Sequence, residues 1–169
     1  MAESSPGNEC GPHQPPAAEH AWLQRLVGEW TFESSCNMGP DQPPQTFRGS
    51  ESVKAFGDYW IVCDGQSEMP GGGSGYMRMT LGFDPAKKKF VGTWIGTMMA
   101  NLWVYDISMD ADQKVLTMAA EGPAMTGEGT ANYRDVITIV SENERTLTSF
   151  MHLPDGSWTQ FMTGVYRRK

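Results

Sequence analysis

The chain has 169 residues, of which 20 are acidic and 13 basic, and its formal net charge at pH 7 is -7. This length predicts about one domain. An acidic chain lacks the basic surface of a nucleic-acid-binding protein, and no stretch approaches the roughly 18 apolar residues that a membrane helix needs. The 19 glycines and 11 prolines are too frequent for a helical bundle and are typical of short strands joined by tight turns.

The amino-terminal segment differs in composition from the rest. Residues 1–17 contain four prolines and almost no large apolar side chains, so they cannot bury enough surface to offset the entropy of ordering. We expect a disordered tail over 1–17 and one folded domain over 18–169. The tail has no apolar signal-peptide core, and Cys10, Cys36 and Cys63 form no CxxC pair and cannot all be bridged within the chain. These features predict a cytoplasmic protein.

The first predicted element is a short amphipathic helix. Within 18–27, four apolar residues fall on one face at helical spacing, and Gly28 follows as the expected helix end. Those apolar residues are Trp22, Leu23, Leu26 and Val27.

After Gly28 the apolar pattern changes to a period close to two, and turn signals divide the chain into ten segments. Because most links are short, the strands should pair as antiparallel hairpins, and a meander this long usually closes to remove its edges. We therefore predict an all-β fold: a closed antiparallel up-and-down barrel of about ten strands with one short N-terminal helix, the alternative being an open sandwich. The expected strands are 29–37, 46–55, 58–68, 75–83, 89–98, 102–109, 114–121, 130–140, 145–153 and 157–167.

The hairpin registers predict which side chains share a face, because opposed residues point the same way. In the later strands, the expected register places Tyr133 opposite His152, with Asp135 and Phe150 on the same face and Arg134 on the other. A slip of one residue would exchange these two sets. In the central strands, an inward aromatic face is predicted from Phe90, Trp94, Trp103, Tyr105, Ile107, Leu116 and Met118.

Several stretches resemble a bacterial family known only as a domain of unknown function. They are GFDPAKKKFVGTWIGTM (82–98), LWVYDISMD (102–110), MAAEGPAM (118–125), YRDVITIV (133–140) and the closing YRRK (166–169). That family looks calycin-like, the group that includes lipocalins, fatty-acid-binding proteins and nitrobindins. The resemblance implies that Trp30 of Gly28-Glu29-Trp30 packs under an arginine from the last strand, Arg167 or Arg168. It implies a fold and no established activity.

The candidate catalytic residues are His152, Asp135 and Tyr133. Together they could relay protons, with the carboxylate fixing the imidazole tautomer, as an isomerase or lyase in a barrel pocket would require. The competing interpretation is that His152, two residues before a Pro-Asp-Gly turn, is a solvated side chain. The resemblance to nitrobindins raises haem ligation by His152 as a further alternative. Otherwise no cofactor is expected, and no metal-spaced Cys/His set is present.

The favoured function is binding of a small, mainly apolar molecule inside the barrel. Aromatic and thioether side chains adapt to such a guest, although the same residues could simply fill the core. An anionic head group could be anchored by Arg78, Arg134 or Tyr133. Homo-oligomer formation or a role as a protein-interaction module with a filled barrel stays open. The candidate ligand-binding residues are Trp94, Trp103, Tyr105, Met118, Arg134 and Phe90.

Overall fold

A computed structural model of the protein describes residues 14–37, 39 and 41–169. Within them it has one helix and ten strands. The predicted tail therefore lies mostly outside the described residues, because only 14–17 of it are included. The elements are α1 (Ala18–Gln24), β1 (Gly28–Cys36), β2 (Gln45–Phe56), β3 (Trp60–Glu68), β4 (Ser74–Asp84), β5 (Lys89–Gly96), β6 (Trp103–Met109), β7 (Val115–Pro123), β8 (Thr130–Ile139), β9 (Glu144–His152) and β10 (Trp158–Arg168).

The strands form a closed antiparallel barrel. Each strand pairs with its neighbours in sequence, and β1 also pairs with β10, which removes both sheet edges. The predicted fold is confirmed, and every strand begins and ends within two residues of its expected position. No helix among the described residues is long and apolar enough to cross a bilayer.

Alternation along each strand separates the interior from the outer face. Phe90 and Trp94 of β5 lie opposite Ile107 and Trp103 of β6. Ile107 in turn lies opposite Met118 of β7. All of these side chains are buried or half-buried. The inward aromatic face predicted for the central strands is therefore confirmed.

The predicted register between β8 and β9 was wrong by one residue. Tyr133 lies opposite Met151 and Asp135 opposite Ser149. The turn between these strands is tighter than expected, so β9 begins at Glu144, whose carbonyl accepts hydrogen bonds from two backbone N–H groups of the turn. Because side chains alternate with a period of two, this slip moves every expected partner in β9 to the opposite face.

A β-bulge in β10 also departs from simple alternation. The pairing of β10 with β9 shifts between Gln160 and Met162. The extra residue of a bulge lets two successive side chains face one side. As a result Phe161 and Met162 both contribute to the barrel interior, although strict alternation would have separated them.

Helix α1 covers one end of the barrel. Trp22 and Leu23 on its inner face, and Leu26 just after its end, are almost completely buried. The indole Nε1 of Trp22 donates a hydrogen bond of 2.8 Å to the carbonyl of Gln113 in the turn after β6. The predicted apolar side chains therefore fill the end of the barrel that the strands alone would leave open.

The junction between α1 and β1 is held by the last strand. The guanidinium of Arg168 lies 4.3 Å from the Trp30 ring and donates hydrogen bonds to the carbonyls of Val27 and Arg25, at 2.7 and 3.0 Å. Gly28 has a φ of 143°, and a Cβ there would lie 2.2 Å from Nη1 of Arg168. Only glycine allows this approach. The packing of an arginine from the last strand on the tryptophan is the arrangement that the family resemblance predicts.

A cavity inside the barrel as candidate functional site

The barrel interior contains a cavity of about 560 Å³ at the end opposite α1. This volume lies within the range of roughly 300–1,000 Å³ typical of small-molecule sites. Its wall comes from all ten strands and from the turns that face away from the helix. The aromatic part of the lining consists of Phe32, Phe47, Trp94, Trp103, Tyr105, Tyr133, Phe161 and Tyr166.

Methionine is the most frequent residue of the cavity wall. Eight of the twelve methionines in the sequence line the cavity. Unbranched thioether side chains change rotamer easily and are polarizable, so they adapt to guests of different shape. The eight are Met69, Met77, Met79, Met98, Met99, Met118, Met125 and Met162.

The cavity opens where the turns after β5 and β7 meet solvent. Met98, Met99 and Met125 in these turns are 38%, 45% and 52% exposed. Deeper in the barrel, Met79 and Met118 are buried. The exposed methionines thus mark a mouth through which a guest could reach the interior.

A buried ion pair forms the polar part of the cavity wall. Arg145 in β9 bonds to the Glu51 carboxylate in β2, and their side chains are only 2% and 11% exposed. The Arg145 guanidinium also lies 4.8 Å from the Trp30 ring and 4.3 Å from the Tyr166 ring. Burial of the two charges is tolerated because they neutralise each other and the rings add cation–π contacts. We refer to Glu51, Arg145 and Tyr166 as the cavity floor; Trp30 packs beneath it.

Two groups at the floor, Cys63 and Tyr166, stay protonated. Burial, and then the Glu51 carboxylate, raise the pKa of the Cys63 thiol well above its usual value. The same two causes, in the same order, raise the pKa of the Tyr166 phenol. Because the thiolate is the nucleophilic form of cysteine, this environment makes Cys63 chemically inert.

Asp135 is a second, half-buried carboxyl on the wall. It accepts hydrogen bonds from Tyr105 Oη at 2.6 Å and from Ser149 Oγ at 2.5 Å. Burial raises the pKa of Asp135, although both hydrogen bonds act in the opposite direction. Burial, followed by the Asp135 charge, raises the pKa of Tyr105 far above its usual value. Hydrogen bonding thus fixes all three side chains within the wall.

The structure brings four of the six sequence-predicted ligand-binding residues to the cavity. Trp94, Trp103, Tyr105 and Met118 all line it. The indole Nε1 of Trp103 donates a hydrogen bond to Met99 Sδ at 3.2 Å, which links the aromatic wall to the mouth. Their contact with a ligand stays a prediction.

Phe90 lies elsewhere. Its ring packs edge-on against Phe83 and Trp22 at centroid distances of 5.1 and 6.0 Å, at the end covered by α1. There it lines a separate depression of about 540 Å³, whose rim carries charged residues including Lys88 and Lys89. Phe90 is therefore part of the packed end and not of the cavity.

The expected relay of Tyr133, Asp135 and His152 is not assembled. His152 lies on the outer face, with its ring centroid 4.8 Å from that of Trp158. Tyr133 and Asp135 do line the cavity, but the Tyr133 hydroxyl donates to the Pro123 carbonyl at 2.6 Å. The one-residue register slip accounts for the separation, because it turns His152 away from the interior.

Haem ligation inside the barrel has no support from the placement of the histidines. Neither of the two that the structure describes, His20 and His152, lines the cavity. His20 is buried, where Nδ1 accepts a hydrogen bond from the Ala17 N–H and Nε2 lies 3.0 Å from the Phe83 carbonyl. Likewise, no cluster of three or more His, Cys, Asp or Glu side chains suited to a metal ion occurs over the described ranges.

The arginines expected to anchor an anionic head group point outward. Arg134 lies on the outer face, 3.8 Å from the Trp158 ring centroid, and Arg78 is paired with Asp64 at 2.6 Å on the exposed surface. The prediction that Arg78 or Arg134 lies inside the barrel is wrong. The arginine that does line the cavity, Arg145, was missed. Arg145 lies two residues before the apolar Leu147 in β9, so strand alternation places both side chains on the same face. This was the signal that could have revealed it.

Comparison with known proteins places the chain in a family. A model of the family described as a protein of unknown function, DUF1579, matches residues 15–168. The chain belongs to the DUF1579 family. No curated protein matches this DUF1579 chain.

Solved structures similar to this DUF1579 protein are also barrels. The crystal structure of Rv2717c from M. tuberculosis shares 14% identity, with a TM-score of 0.60 over 92% of this chain and 99% of that chain. At this identity the likeness shows the fold alone. A de novo designed fluorescence-activating β-barrel is 13% identical with a TM-score of 0.46, over 87% of this chain and 96% of that one. At that TM-score its likeness carries no argument.

Proposed function

We propose that the protein binds a small, mainly apolar molecule inside its barrel. The observation that carries this proposal is the cavity of about 560 Å³, open at one end and walled by methionine and aromatic side chains. About eight strands make a barrel that its own side chains nearly fill, whereas this barrel has ten. Transfer of an apolar guest from water to such a wall is favourable by roughly 25 cal/mol per Å² buried.

The wall chemistry favours a guest recognised mainly by shape and hydrophobicity. Flexible methionines surround a smaller number of rigid rings, so the site combines fixed aromatic surfaces with an adaptable lining. Trp94 and Trp103 lie opposite each other on β5 and β6 and offer flat surfaces. A flat or aliphatic molecule that carries few polar groups fits this wall best.

The other functions considered from the sequence have less support. Catalysis by Tyr133, Asp135 and His152 would need the three side chains to meet, and His152 lies on the outer face. A protein-interaction module was expected to have a filled barrel, whereas this one contains a cavity. The contact of Arg168 with Trp30 supports the proposal that the barrel is calycin-like. A cytoplasmic location stays a prediction.

Substitution of Gly65 by leucine tests the cavity as the binding site. Gly65 lines the cavity, and an added Cβ would meet its nearest neighbour, Met77 Cε, at 3.5 Å, which is ordinary contact. The added side chain should therefore occupy the space that a guest needs. Gln66→Leu is the matched control, because it adds the same side chain at the next residue, on the exposed outer face of β3.

The measurement is titration of each purified protein with Nile red, an uncharged dye that fluoresces in apolar surroundings. Wild type and Gln66→Leu should bind it with equal affinity, and Gly65→Leu should bind it about tenfold more weakly, a loss of about 1.4 kcal/mol. Circular dichroism establishes that both variants are folded. Equal binding by Gly65→Leu and Gln66→Leu, or no saturable binding by wild type, would refute the proposal. Native mass spectrometry of fresh protein then identifies any retained guest.

A further inference from the structure

One donor of the cavity floor lacks a partner. The Nε–H of Arg145 is buried and has no hydrogen-bond acceptor among the described residues, although Nη2 of the same guanidinium bonds to Glu51. An unsatisfied buried donor loses its interaction with water without compensation, so such groups are rare in folded proteins. Arg145 lines the cavity, but Nε itself is covered by its neighbours, so a guest supplies the missing acceptor by shifting a side chain of the wall beside it.

This donor is held in a fixed position. The guanidinium is bound by the Glu51 carboxylate and packs on the Trp30 and Tyr166 rings at 4.8 and 4.3 Å. Tyr166 is itself stacked on Phe32, with ring centroids 4.9 Å apart. A donor fixed by its surroundings binds an acceptor with little further loss of side-chain entropy.

Two other polar side chains of the wall already have partners. The two oxygens of Asp135 accept from Tyr105 and Ser149. The Tyr133 hydroxyl donates to the Pro123 carbonyl. Among the completely buried side-chain nitrogen and oxygen atoms of the described cavity wall, Arg145 Nε is the one without a partner, so a guest that brings one acceptor satisfies it.

The charges around the floor decide what kind of acceptor fits. Glu51 already neutralises Arg145, and Asp135 is a second carboxyl on the same wall. A carboxylate guest would place another negative charge near Glu51 in a poorly solvated site, and no unpaired cation among the described lining residues would compensate it. A carbonyl, ester or ether oxygen accepts the same hydrogen bond without that cost.

We infer that the ligand is an apolar molecule with an uncharged acceptor oxygen, which accepts a hydrogen bond from Arg145 Nε at the floor. This inference rests on the proposed function and adds to it the chemical class of the ligand. It separates the protein from carriers that select fatty-acid anions. The apolar body occupies the methionine-lined part of the cavity, and the acceptor is the end that reaches the floor.

The test compares three probes of similar length on the wild-type protein. Methyl laurate, laurate and tetradecane differ in whether they carry a neutral acceptor, a charged acceptor or none. Each displaces Nile red at neutral pH, where laurate is ionised. Methyl laurate should bind at least about tenfold more tightly than tetradecane. A hydrogen bond to a charged donor contributes about 1.5 kcal/mol or more, and about 1.4 kcal/mol corresponds to a tenfold change in affinity. It should also bind at least about tenfold more tightly than laurate.

A variant isolates the donor itself. Arg145→Lys keeps the positive charge opposite Glu51 but removes Nε–H, so the ester should lose its advantage over the alkane. Arg48→Lys is the matched control, because Arg48 is also paired with a glutamate, Glu33, but lies exposed outside the cavity. It should leave the advantage unchanged. If Arg145→Lys does not fold, the comparison of the three probes on wild type decides the question alone.

The outcomes distinguish this inference from the proposed function. If laurate binds more tightly than methyl laurate, the floor recognises an anion and the inference is wrong. If tetradecane binds as tightly as the ester, or Arg145→Lys retains the ester's advantage, the Nε–H does not bind the ligand and the inference is wrong. In either case the cavity still binds apolar molecules. If wild type binds neither Nile red nor any probe, the proposed function itself fails.

Discussion

The two ends of the barrel are built from the same ten strands but differ in what fills them. At the end covered by α1, Leu23 and Leu26 are no more than 2% exposed and fill the barrel interior, and the depression of about 540 Å³ at this end is lined partly by the helix itself. At the other end, Met98 and Met125 are 38% and 52% exposed around the mouth of the cavity. Tight packing stabilises a fold but leaves no open volume, so the closely packed part and the cavity lie at different positions along the barrel axis. The charged floor lies between them.

The largest effect on the free energy of unfolding is expected from a variant that removes one charge of the floor. Glu51→Gln leaves Arg145 buried without its counter-ion, which should lower the free energy of unfolding by about 3–5 kcal/mol. Urea denaturation of wild type and variant measures this loss. Glu33→Gln is the control, since it breaks an ion pair on the surface whose side chains are 52% and 73% exposed, and it should cost about 0–1 kcal/mol. Equal losses would mean that the floor contributes no more than a surface pair.

The next largest effect on stability is expected from a truncation at the end covered by α1, compared with a truncation at the mouth. Leu23 on the inner face of α1 is completely buried, so Leu23→Ala removes apolar contacts and leaves a cavity. We expect a loss of about 3 kcal/mol in the free energy of unfolding, within the usual span for such changes. Met125→Ala truncates a side chain at the mouth that is 52% exposed and should change stability by less than about 0.5 kcal/mol. Comparable losses at the two ends, measured by urea denaturation, would contradict the division described above.

The smallest effect is the pH dependence of stability that comes from Asp135. Burial raises its pKa above the unfolded value of about 3.9, so the folded state retains a proton that the unfolded chain releases. Its contribution to stability is therefore complete below about pH 4 and is lost as the pH rises through the folded pKa. Each unit of the shift corresponds to about 1.4 kcal/mol. The stability of wild type relative to Asp135→Asn should fall over that interval.

Thermal unfolding of both proteins across the acidic to neutral range measures this dependence. Asp155, in the turn after β9, provides a control of opposite sign. Hydrogen bonds from Ser157 lower the pKa of Asp155, so its contribution is lost as the pH falls through the folded pKa. A stability difference between wild type and Asp135→Asn that rises with pH would show that the hydrogen bonds to Asp135 outweigh its burial.

Local patterns predicted most of the fold because each strand carries its own evidence. Alternation and turn residues mark where a strand begins and ends, and short hairpins fix the pairing of β5, β6 and β7. The register of β8 with β9 depended on how many residues the intervening turn uses, and several lengths fit that sequence. One residue of error was enough to place His152 on the wrong face.

The pairing of Glu51 with Arg145 was beyond local patterns for a different reason. Glu51 and Arg145 are 94 residues apart, and each alone looks like an ordinary charged residue on a strand. Their burial follows from closure of the barrel, which brings β2 and β9 within reach across its interior. Interior aromatic residues can be predicted from periodicity, whereas a buried ion pair needs both partners to be located at once.

Closure through β1 and β10 also sets when the floor can exist during synthesis. The other strand pairs join neighbours in sequence, but β1 pairs with the strand that is made last. The β1–β10 seam can form only after β10 has left the ribosome. Loop-closure entropy delays it further, because the two strands are distant in sequence. Until then the sheet has two unpaired edges, which are the sites most prone to pairing with other chains. Trp30 and Tyr166 come from the two strands of this seam, so the rings that pack on Arg145 cannot come together until the seam has closed.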